Sequence, residues 1–288
     1  MEIANIKTVH TSIIKKLFKI LSNTVDDVRI DFIKENDDDD KHVNNGGLRL
    51  MALDELSTLL VFIKLKSETF EQFNVICNYS AKFEVNDDNF KEFINNIDDN
   101  SSMIISMNKN DENNIHFGSQ DSLKYTQYKQ PIIDDTSPCG LPRDTMFKIN
   151  VIIDVNDLVA ACNQISKFSK YVEIECCDEK ITFSSTDKNK SYSVTYMKNI
   201  DNQNGVRIIT LNSPIDDSSV VKEIYNMNDI VKTFDYGKLC SEIQLFLKND
   251  YPMFVQYDIQ SELKSIGKML IGLSPISKYY LDNHYDYE

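Results

Sequence analysis

The sequence has no tryptophan, only eight glycines and no apolar run longer than Leu59–Ile63. That run is far short of the ~20 apolar residues that a membrane-spanning helix needs. The chain also begins without the basic residues and the apolar stretch of a secretory signal peptide. We therefore expect an intracellular protein with no membrane partner.

The motifs of common enzyme chemistry are also absent. The glycines form neither the GxGxxG nor the GxxxxGK(S/T) phosphate-binding pattern, and no serine stands in a GxSxG sequence. The histidines are scattered without HExxH spacing, at His10, His42, His116 and His284. The six cysteines include no CxxC pair, which predicts buried thiols rather than zinc ligands. These absences favour a binding or scaffold protein, without cofactor or metal, over an enzyme.

Positive charge is scarce, since 31 basic residues face 45 acidic ones and the net charge is −14. Such a balance disfavours a protein whose whole surface binds nucleic acid, but it does not exclude a local basic face. The densest acidic run, Asp37–Asp40, lacks the alternating ligands and the central glycine of a calcium loop. We interpret the surrounding insertion, Asp37–Asn45, as a surface loop.

The sequence resembles itself at half its length. Ile14 aligns with Leu158 and Ile30 with Ile174, and in both halves a helical apolar pattern runs into a strand pattern of period two. A second helix is predicted in each half, at Asn86–Ile97 and Asn228–Phe234. The sequence therefore predicts an α+β unit, strand-rich with two helices, that occurs twice.

The segment between the halves, Pro131–Asp144, contains three prolines and one glycine and has no periodicity. This composition is typical of an extended linker. We expect an N-terminal domain over residues 1–130, a connector over 131–146 and a C-terminal domain over 147–288.

Several segments resemble the proliferating cell nuclear antigen family of DNA sliding clamps. In Gly47–Phe70 the resemblance rests on the Leu53-Asp54 pair and on the Lys66-Ser67-Glu68-x-Phe70 turn. The other similar segments, in order, are Ser12–Leu21, Cys139–Pro142, Asp157–Ser185, Pro252–Ile259 and Leu273–Pro275. The resemblance spans nearly the whole chain and implies two similar clamp domains that assemble into a ring.

This resemblance implies a processivity factor, without catalysis of its own, that encircles double-stranded DNA and tethers replication and repair proteins. It further implies a homotrimer, a clamp loader, and DNA polymerase and other factors that dock through short peptide motifs. The expected location is the nucleus, or a cytoplasmic replication compartment if the protein is viral.

The resemblance also assigns residues. The expected DNA-binding residues are Lys15, Lys16, Lys19, Lys91 and Lys232. The expected groove for partner peptides comprises Leu53, Ser57, Thr58, Leu60, Cys139, Gly140, Leu141, Pro252, Leu273, Ser274 and Pro275, of which Leu60 and Leu273 are alternatively core residues. For the subunit interface we expect edge strands at Asn114–Ser119 and Ser191–Tyr196, with Ile115, Phe117, Tyr192, Val194 and Tyr196 as apolar contacts.

Two alternatives stay open. The second-domain helix Asp154–Ser166 contains no lysine or arginine, whereas family members commonly place arginines there. This favours, as an alternative, a clamp-like subunit that acts as a monomer or in a heteromeric checkpoint-type ring. The second alternative is an unrecognised enzyme with an acidic site at Asp37–Asp40.

Overall fold

A computed structural model of the chain describes residues 2–35, 46–133, 147, 149–186, 191–198, 206–210, 220–234, 237, 239–261 and 264–277. The chain divides into two compact units. The first comprises Met1–Leu141 with Asp258–Met269, and the second Pro142–Tyr257 with Leu270–Glu288. This division falls inside the expected connector, most of which lies outside the described residues. Pro131 is the last residue of a strand rather than the first of the connector.

The first unit is built from antiparallel strands and two helices. Its elements are β1 (Glu2–Thr8), α1 (Thr11–Thr24), β2 (Asp27–Ile33), β3 (Gly47–Leu53), β4 (Leu59–Lys66), a 3₁₀ turn (Ser67–Thr69), β5 (Gln72–Val75), β6 (Tyr79–Glu84), α2 (Asp88–Asn96), β7 (Ser102–Asn108), β8 (Asp111–Gln120) and β9 (Tyr125–Pro131). One sheet has the order β5-β1-β7-β8-β9, and in the other β4, β3, β2 and β6 are successive neighbours.

The second unit repeats this order of elements. They are β10 (Ile149–Asp154), α3 (Val155–Ile165), β11 (Tyr171–Cys176), β12 (Lys180–Ser185), β13 (Ser193–Met197), β14 (Arg207–Thr210), β15 (Val221–Asn226), α4 (Met227–Phe234), β16 (Glu242–Leu247), β17 (Met253–Ser261) and β18 (Lys264–Leu273). Its sheets have the orders β13-β12-β11-β15 and β14-β10-β16-β17. The tip of the β17–β18 hairpin, residues 258–269, is counted with the first unit, where β18 neighbours β4. The predicted pair of similar α+β domains, each strand-rich with two helices, is confirmed.

Burial follows the two sequence periods. In α1 the helical apolar stripe, Ile13, Ile14, Leu17, Ile20 and Leu21, is buried. In β2 the alternate residues Val28, Ile30 and Phe32 are fully buried, while Arg29 and Asp31 face away from the core. The same two patterns recur in α3 and β11.

Four phenylalanines join both helices of the first unit to its sheets. Phe18 of α1 lies 5.5 Å from Phe90 of α2 and 5.6 Å from Phe117 of β8, measured between ring centroids, and both pairs are edge-to-face. Phe83 of β6 completes the cluster at 5.6 Å from Phe90. Edge-to-face packing adds stabilisation beyond the burial of the rings. The cluster therefore fixes which side of each helix is left for solvent.

The start of α2 is held by its N-cap. The Asp87 carboxylate accepts hydrogen bonds from the backbone N–H of Phe90 (2.8 Å) and from the Tyr128 hydroxyl (3.0 Å). Burial, and then the hydrogen bond to Asp87 and the charge of that carboxylate, raise the pKa of Tyr128 to about 12. The cap thus ties α2 to β9 as well as to the core.

Among the described residues, no helix combines the length and apolar character needed to cross a membrane.

The phenylalanine cluster yields a stability prediction. We expect Phe90→Ala to lower the free energy of unfolding by about 3–5 kcal/mol, because the cavity sits where two helices and two sheets meet. Chemical denaturation followed by circular dichroism measures the change. Leu123→Ala is the matched control, since Leu123 is 97% exposed and its removal should cost almost nothing. Equal effects of the two substitutions would contradict the role given to the cluster.

Candidate functional site

The polar sides of α1 and α2 share a shallow groove. It encloses about 170 Å³. Its floor is apolar and its rim polar, and the lining residues are Phe18, Lys19, Ser22, Asn23, Phe90, Lys91, Ile94 and Asn95. Lys19 and Lys91, predicted separately from two helices far apart in sequence, are thus brought to one groove.

The predicted lysines differ in how available their charges are. The Lys15 side chain is only 13% exposed; its ammonium pairs with Asp99 at 3.0 Å and donates to the Ile97 carbonyl at the end of α2. A cation at a helix C-terminus is stabilised by the helix dipole. Lys15 therefore holds α1 against α2, which makes it a weaker candidate for contact with a ligand.

Lys16 and Lys19 are exposed, and neither forms an ion pair with any residue that the structure describes. The Lys91 ammonium lies 3.2 Å from the Asp88 carboxylate one helical turn away. In α4 the Lys232 ammonium lies 3.5 Å from Asp229. The free positive charge of the helices is therefore concentrated on α1.

The helices of the second unit present a different surface. The exposed positions of α3 are Asn156, Asp157, Ala160, Asn163 and Gln164, which carry one negative and no positive charge. With Lys232 paired to Asp229, the α3 and α4 surface is close to neutral. The lack of lysine and arginine that the sequence shows in this helix is therefore also a lack of positive charge on its exposed face.

The turn of the β3–β4 hairpin, where four groove residues were predicted, is held by hydrogen bonds to one carboxylate. The Asp54 carboxylate accepts hydrogen bonds from the N–H groups of Thr58 and Leu59, both at 2.7 Å, and from the Thr58 hydroxyl at 2.9 Å. Ser57 adopts a left-handed conformation with φ of 56°. Ser57 and Thr58 thus build the turn.

Three leucine side chains of this hairpin are at least partly exposed to solvent. Leu53 is 44% exposed and Leu60 is half-buried, and the two lie opposite each other on β3 and β4. Leu56, which the sequence analysis did not select, is 80% exposed. The sequence offered no signal for it, because a lone leucine in a turn belongs to no periodic pattern.

The remaining groove residues belong to the second unit or to undescribed chain. Leu273 is only 1% exposed, so its side chain is part of the core, the alternative left open above. Pro252, Ser274 and Pro275 are half-buried. Cys139, Gly140 and Leu141 lie outside the described residues.

The predicted edge strand of the first unit was wrong. Residues 114–119 belong to β8, which pairs with β7 on one side and with β9 on the other. Ile115 and Phe117 are fully buried. The strands at the two ends of this sheet are β5 and β9, and β9, next to β8, has Tyr125, Gln127 and Lys129 exposed. The sequence analysis missed it because β9 is mostly polar and contains no apolar alternation.

In the second unit the predicted edge strand, β13, does lie at the end of its sheet. Two of its predicted contact residues, however, already form hydrogen bonds with α3. The Tyr196 hydroxyl donates to the Asp157 carbonyl of α3 at 2.8 Å, and the Tyr192 hydroxyl donates to the Gln164 side chain. Phe168 stacks on Tyr192 with ring centroids 5.3 Å apart. Tyr192 and Tyr196 therefore support α3.

No group of three or more histidine, cysteine or acidic side chains in the described part of the chain could hold a metal ion. Burial raises the pKa of both the Cys162 and the Cys176 thiols to about 12. Thiols with such pKa values are poor nucleophiles and poor metal ligands. The acidic run Asp37–Asp40 lies outside the described residues.

Two family models match consecutive parts of the chain. The N-terminal domain model of proliferating cell nuclear antigen matches residues 3–136, and the C-terminal domain model matches residues 142–269. The chain belongs to the proliferating cell nuclear antigen family. The resemblance stated from the sequence is therefore confirmed.

Individual relatives are distant but span the chain. The "Probable DNA polymerase sliding clamp 1" of Paramecium bursaria Chlorella virus 1 is 24% identical, over 94% of this chain and 96% of its own length. The "Probable DNA polymerase sliding clamp" of Acanthamoeba polyphaga mimivirus is 22% identical over 96% of this chain, which spans only 62% of that protein. The crystal structure of the Entamoeba histolytica proliferating cell nuclear antigen covers 96% of this chain with a TM-score of 0.74 at 12% identity.

The Asp54 turn yields a local prediction. We expect Asp54→Ala to cost about 2–3 kcal/mol of stability, because the carboxylate serves three donors. Faster amide hydrogen exchange should be confined to the β3–β4 turn. Glu55→Ala, an exposed neighbour, is the matched control and should leave exchange unchanged. Unaltered exchange in the Asp54 variant would show that the turn does not depend on this carboxylate.

Proposed function

We propose that this protein is a DNA sliding clamp, a processivity factor that encircles duplex DNA and tethers DNA polymerase and other replication proteins. The observation that carries the proposal is the match of both clamp domain models in consecutive order, together with viral relatives that are named DNA polymerase sliding clamps. The clamp acts at sites of DNA replication, in the nucleus or in a viral factory.

The exposed side of α1 and α2 is the proposed DNA contact. A clamp that stays on DNA by encircling it needs only weak, sequence-independent contacts. Contacts with phosphate alone give dissociation constants of about 10⁻⁴–10⁻⁶ M at physiological salt. Lys16 and Lys19, which form no ion pair with described residues, and Lys91 at the same groove suit that purpose. The acidic remainder of the chain discourages DNA from binding elsewhere.

The proposed ring closes through edge strands of neighbouring copies. An unpaired edge offers N–H and C=O groups to another chain, and repeated head-to-tail pairing closes a ring. Of the strands that lie at sheet ends, we propose that β9 of one copy pairs with β13 of the next. We propose a homotrimer with this pairing, loaded onto DNA by a clamp loader.

Partner proteins are proposed to dock short peptides beside the β3–β4 hairpin. Leu53, Leu56 and Leu60 offer apolar surface on a turn that Asp54 holds rigid. A rigid, preformed surface lowers the entropic cost of binding a flexible peptide. Contributions from Pro252, Ser274, Pro275 and the connector residues stay predictions.

One observation favours the alternative of a heteromeric ring. The α3 face carries no lysine or arginine and exposes Asp157. A ring in which other subunits supply the missing positive charge would explain this face. The second alternative, an enzyme with an acidic site, rests on Asp37–Asp40, which lie outside the described residues.

The DNA contact predicts a change in salt dependence. We expect Lys16→Gln with Lys19→Gln to lower the slope of log affinity against log salt for a 30-base-pair duplex by about 1.8, since each lost phosphate contact contributes about 0.9. Fluorescence anisotropy measures it. Lys109→Gln with Lys124→Gln is the control pair of equal charge away from the helices, and it should leave the slope unchanged. An equal loss in both pairs would mean that net charge, not α1, determines DNA binding.

Ring closure predicts an oligomer that depends on β13. We expect the wild-type mass from light scattering to be three times 33.2 kDa, and Met197→Glu to shift it toward the single chain. Met197 is 60% exposed on the edge strand, so the substitution leaves the core intact. Ile76→Glu, at an exposed apolar position after β5, is the control and should leave the mass unchanged. A wild-type monomer at all concentrations would overturn the homotrimer.

A further inference from the structure

A row of side chains crosses four strands of the second unit on the face that points away from its core. Asn150 of β10 stands opposite Phe246 of β16, and Phe246 stands opposite Phe254 of β17. The Phe254 ring then lies against Gly272 of β18, where a β-carbon would come within 2.9 Å of the ring. Directly opposed residues of a sheet share one side of it. The neighbours of the row along the strands are buried in the core, and they are Val151, Leu245 and Val255.

Two further rings widen this row into an aromatic surface. Phe147 lies 5.5 Å from Phe246 and 5.6 Å from Phe254, measured between ring centroids. It also lies 5.8 Å from Tyr251. We call Phe147, Phe246, Tyr251 and Phe254 the aromatic face. Phe254 is 4% exposed, whereas the other three are half-buried and keep part of their surface in water. A contiguous patch of this kind marks a surface that another length of polypeptide covers.

Polar groups at the border of the aromatic face add to what an occupant must provide. Asn150 is 6% exposed, and its Oδ1 accepts no hydrogen bond from the described residues. A buried acceptor without a donor is destabilising. The Lys248 ammonium lies 5.1 Å above the centre of the Tyr251 ring and forms no ion pair with a described carboxylate. A matching occupant therefore combines aromatic side chains, hydrogen-bond donors and negative charge.

The sequence supplies such an occupant directly after the described chain. The eleven residues KYYLDNHYDYE, at positions 278–288, follow Ser277 and lie outside the described residues. They contain four of the 14 tyrosines of the protein and one leucine. They also carry three carboxylates and one lysine, a balance that complements Lys248. Tyrosine hydroxyls and backbone N–H groups are donors that suit Asn150.

The 278–288 segment begins within reach of the aromatic face. Ser277 is five residues after Gly272, so the two lie at most about 18 Å apart. Eleven extended residues span about 36–40 Å. Attachment to the same chain gives the segment an effective concentration in the mM range, as for a short flexible linker. Contacts that are weak between separate molecules are then sufficient to keep the face occupied.

We propose that the 278–288 segment docks on the aromatic face of its own chain and occupies it until a partner peptide displaces it. The displacement rests on the proposed docking of partner peptides, because Tyr251 adjoins Pro252, a residue of the predicted groove. The tyrosines cover the exposed parts of the rings, and the carboxylates lie toward Lys248. Covalent attachment favours this segment over any free peptide of similar composition. The segment therefore weakens partner peptides without a change in the groove itself.

A full-length variant tests the docking. It carries Tyr279→Ser, Tyr280→Ser, Tyr285→Ser and Tyr287→Ser, which keep the length and the charge of the segment, and we call it the serine variant. The probe is a fluorescein-labelled peptide of residues 278–288. We expect fluorescence anisotropy to show about tenfold tighter binding of the probe to the serine variant than to the wild type, because the wild-type segment competes at mM effective concentration.

Substitutions in the serine variant locate the site. Phe246→Ser should abolish binding of the probe, whereas Phe168→Ser, at an exposed aromatic position outside the aromatic face, should leave it unchanged. Lys248→Gln should weaken the probe about two- to fivefold, the effect of one exposed ion pair. It should also leave the melting temperature unchanged, so it tests the site even if Phe246→Ser unfolds the protein. Unchanged affinity in both variants of the face would place the probe elsewhere and overturn the inference.

A second probe tests displacement. It is a labelled peptide with one leucine and two phenylalanines within a single 3₁₀ turn, and we expect it too to bind the serine variant about tenfold more tightly. If it binds both proteins equally while the first probe does not, the segment docks but does not restrict partners, and displacement is overturned. If it binds neither protein, the docking of partner peptides is wrong, and the first probe alone decides whether the segment docks.

The first probe also decides against the docking itself. If it does not bind the serine variant, or binds the serine variant and the wild type equally, the segment does not occupy the face. If the tenfold difference disappears when the protein is diluted, the segment belongs to a neighbouring copy, and docking within one chain is overturned.

Discussion

The apolar stripe of α1 must be buried against two sheets and a second helix at once, and the rest of the first unit depends on that packing. Phe18 supplies the centre of the stripe and meets Phe90 and Phe117 edge-to-face. Because this packing fixes the rotation of both helices, it also fixes which residues face solvent. Lys19 and Lys91 reach a common groove as a consequence of apolar packing beneath them.

The same architecture carries different charges in its two copies. In the first unit the helix faces bear lysines whose charges are partly free, whereas in the second α3 bears none and the lysine of α4 is paired with Asp229. Packing constrains only the buried stripe, so the exposed stripe is free to change without loss of fold. The two units therefore share one architecture and differ in the positive charge of their exposed helix faces.

Positive charge in this protein is local. Against a net charge of −14, the helix lysines that form no ion pair with a described residue, Lys16 and Lys19, lie together on α1. Their place on a polar helix face suits contacts with phosphate, which need charge but no apolar anchor.

The sequence by itself determined the α+β class, the two-fold repeat, the buried faces of α1 and β2, and the resemblance to the clamp family, because periods of 3.6 and 2 record burial directly. Only the tertiary structure decided which strands lie at sheet edges. Ile115 and Phe117 looked like edge contacts, but β8 is central, and the edge strand β9 is polar. It also decided that Lys15 is tied to Asp99 and that Lys64 stands opposite Arg49. Strand order and charge pairing join residues that are distant in sequence, and a local pattern records neither.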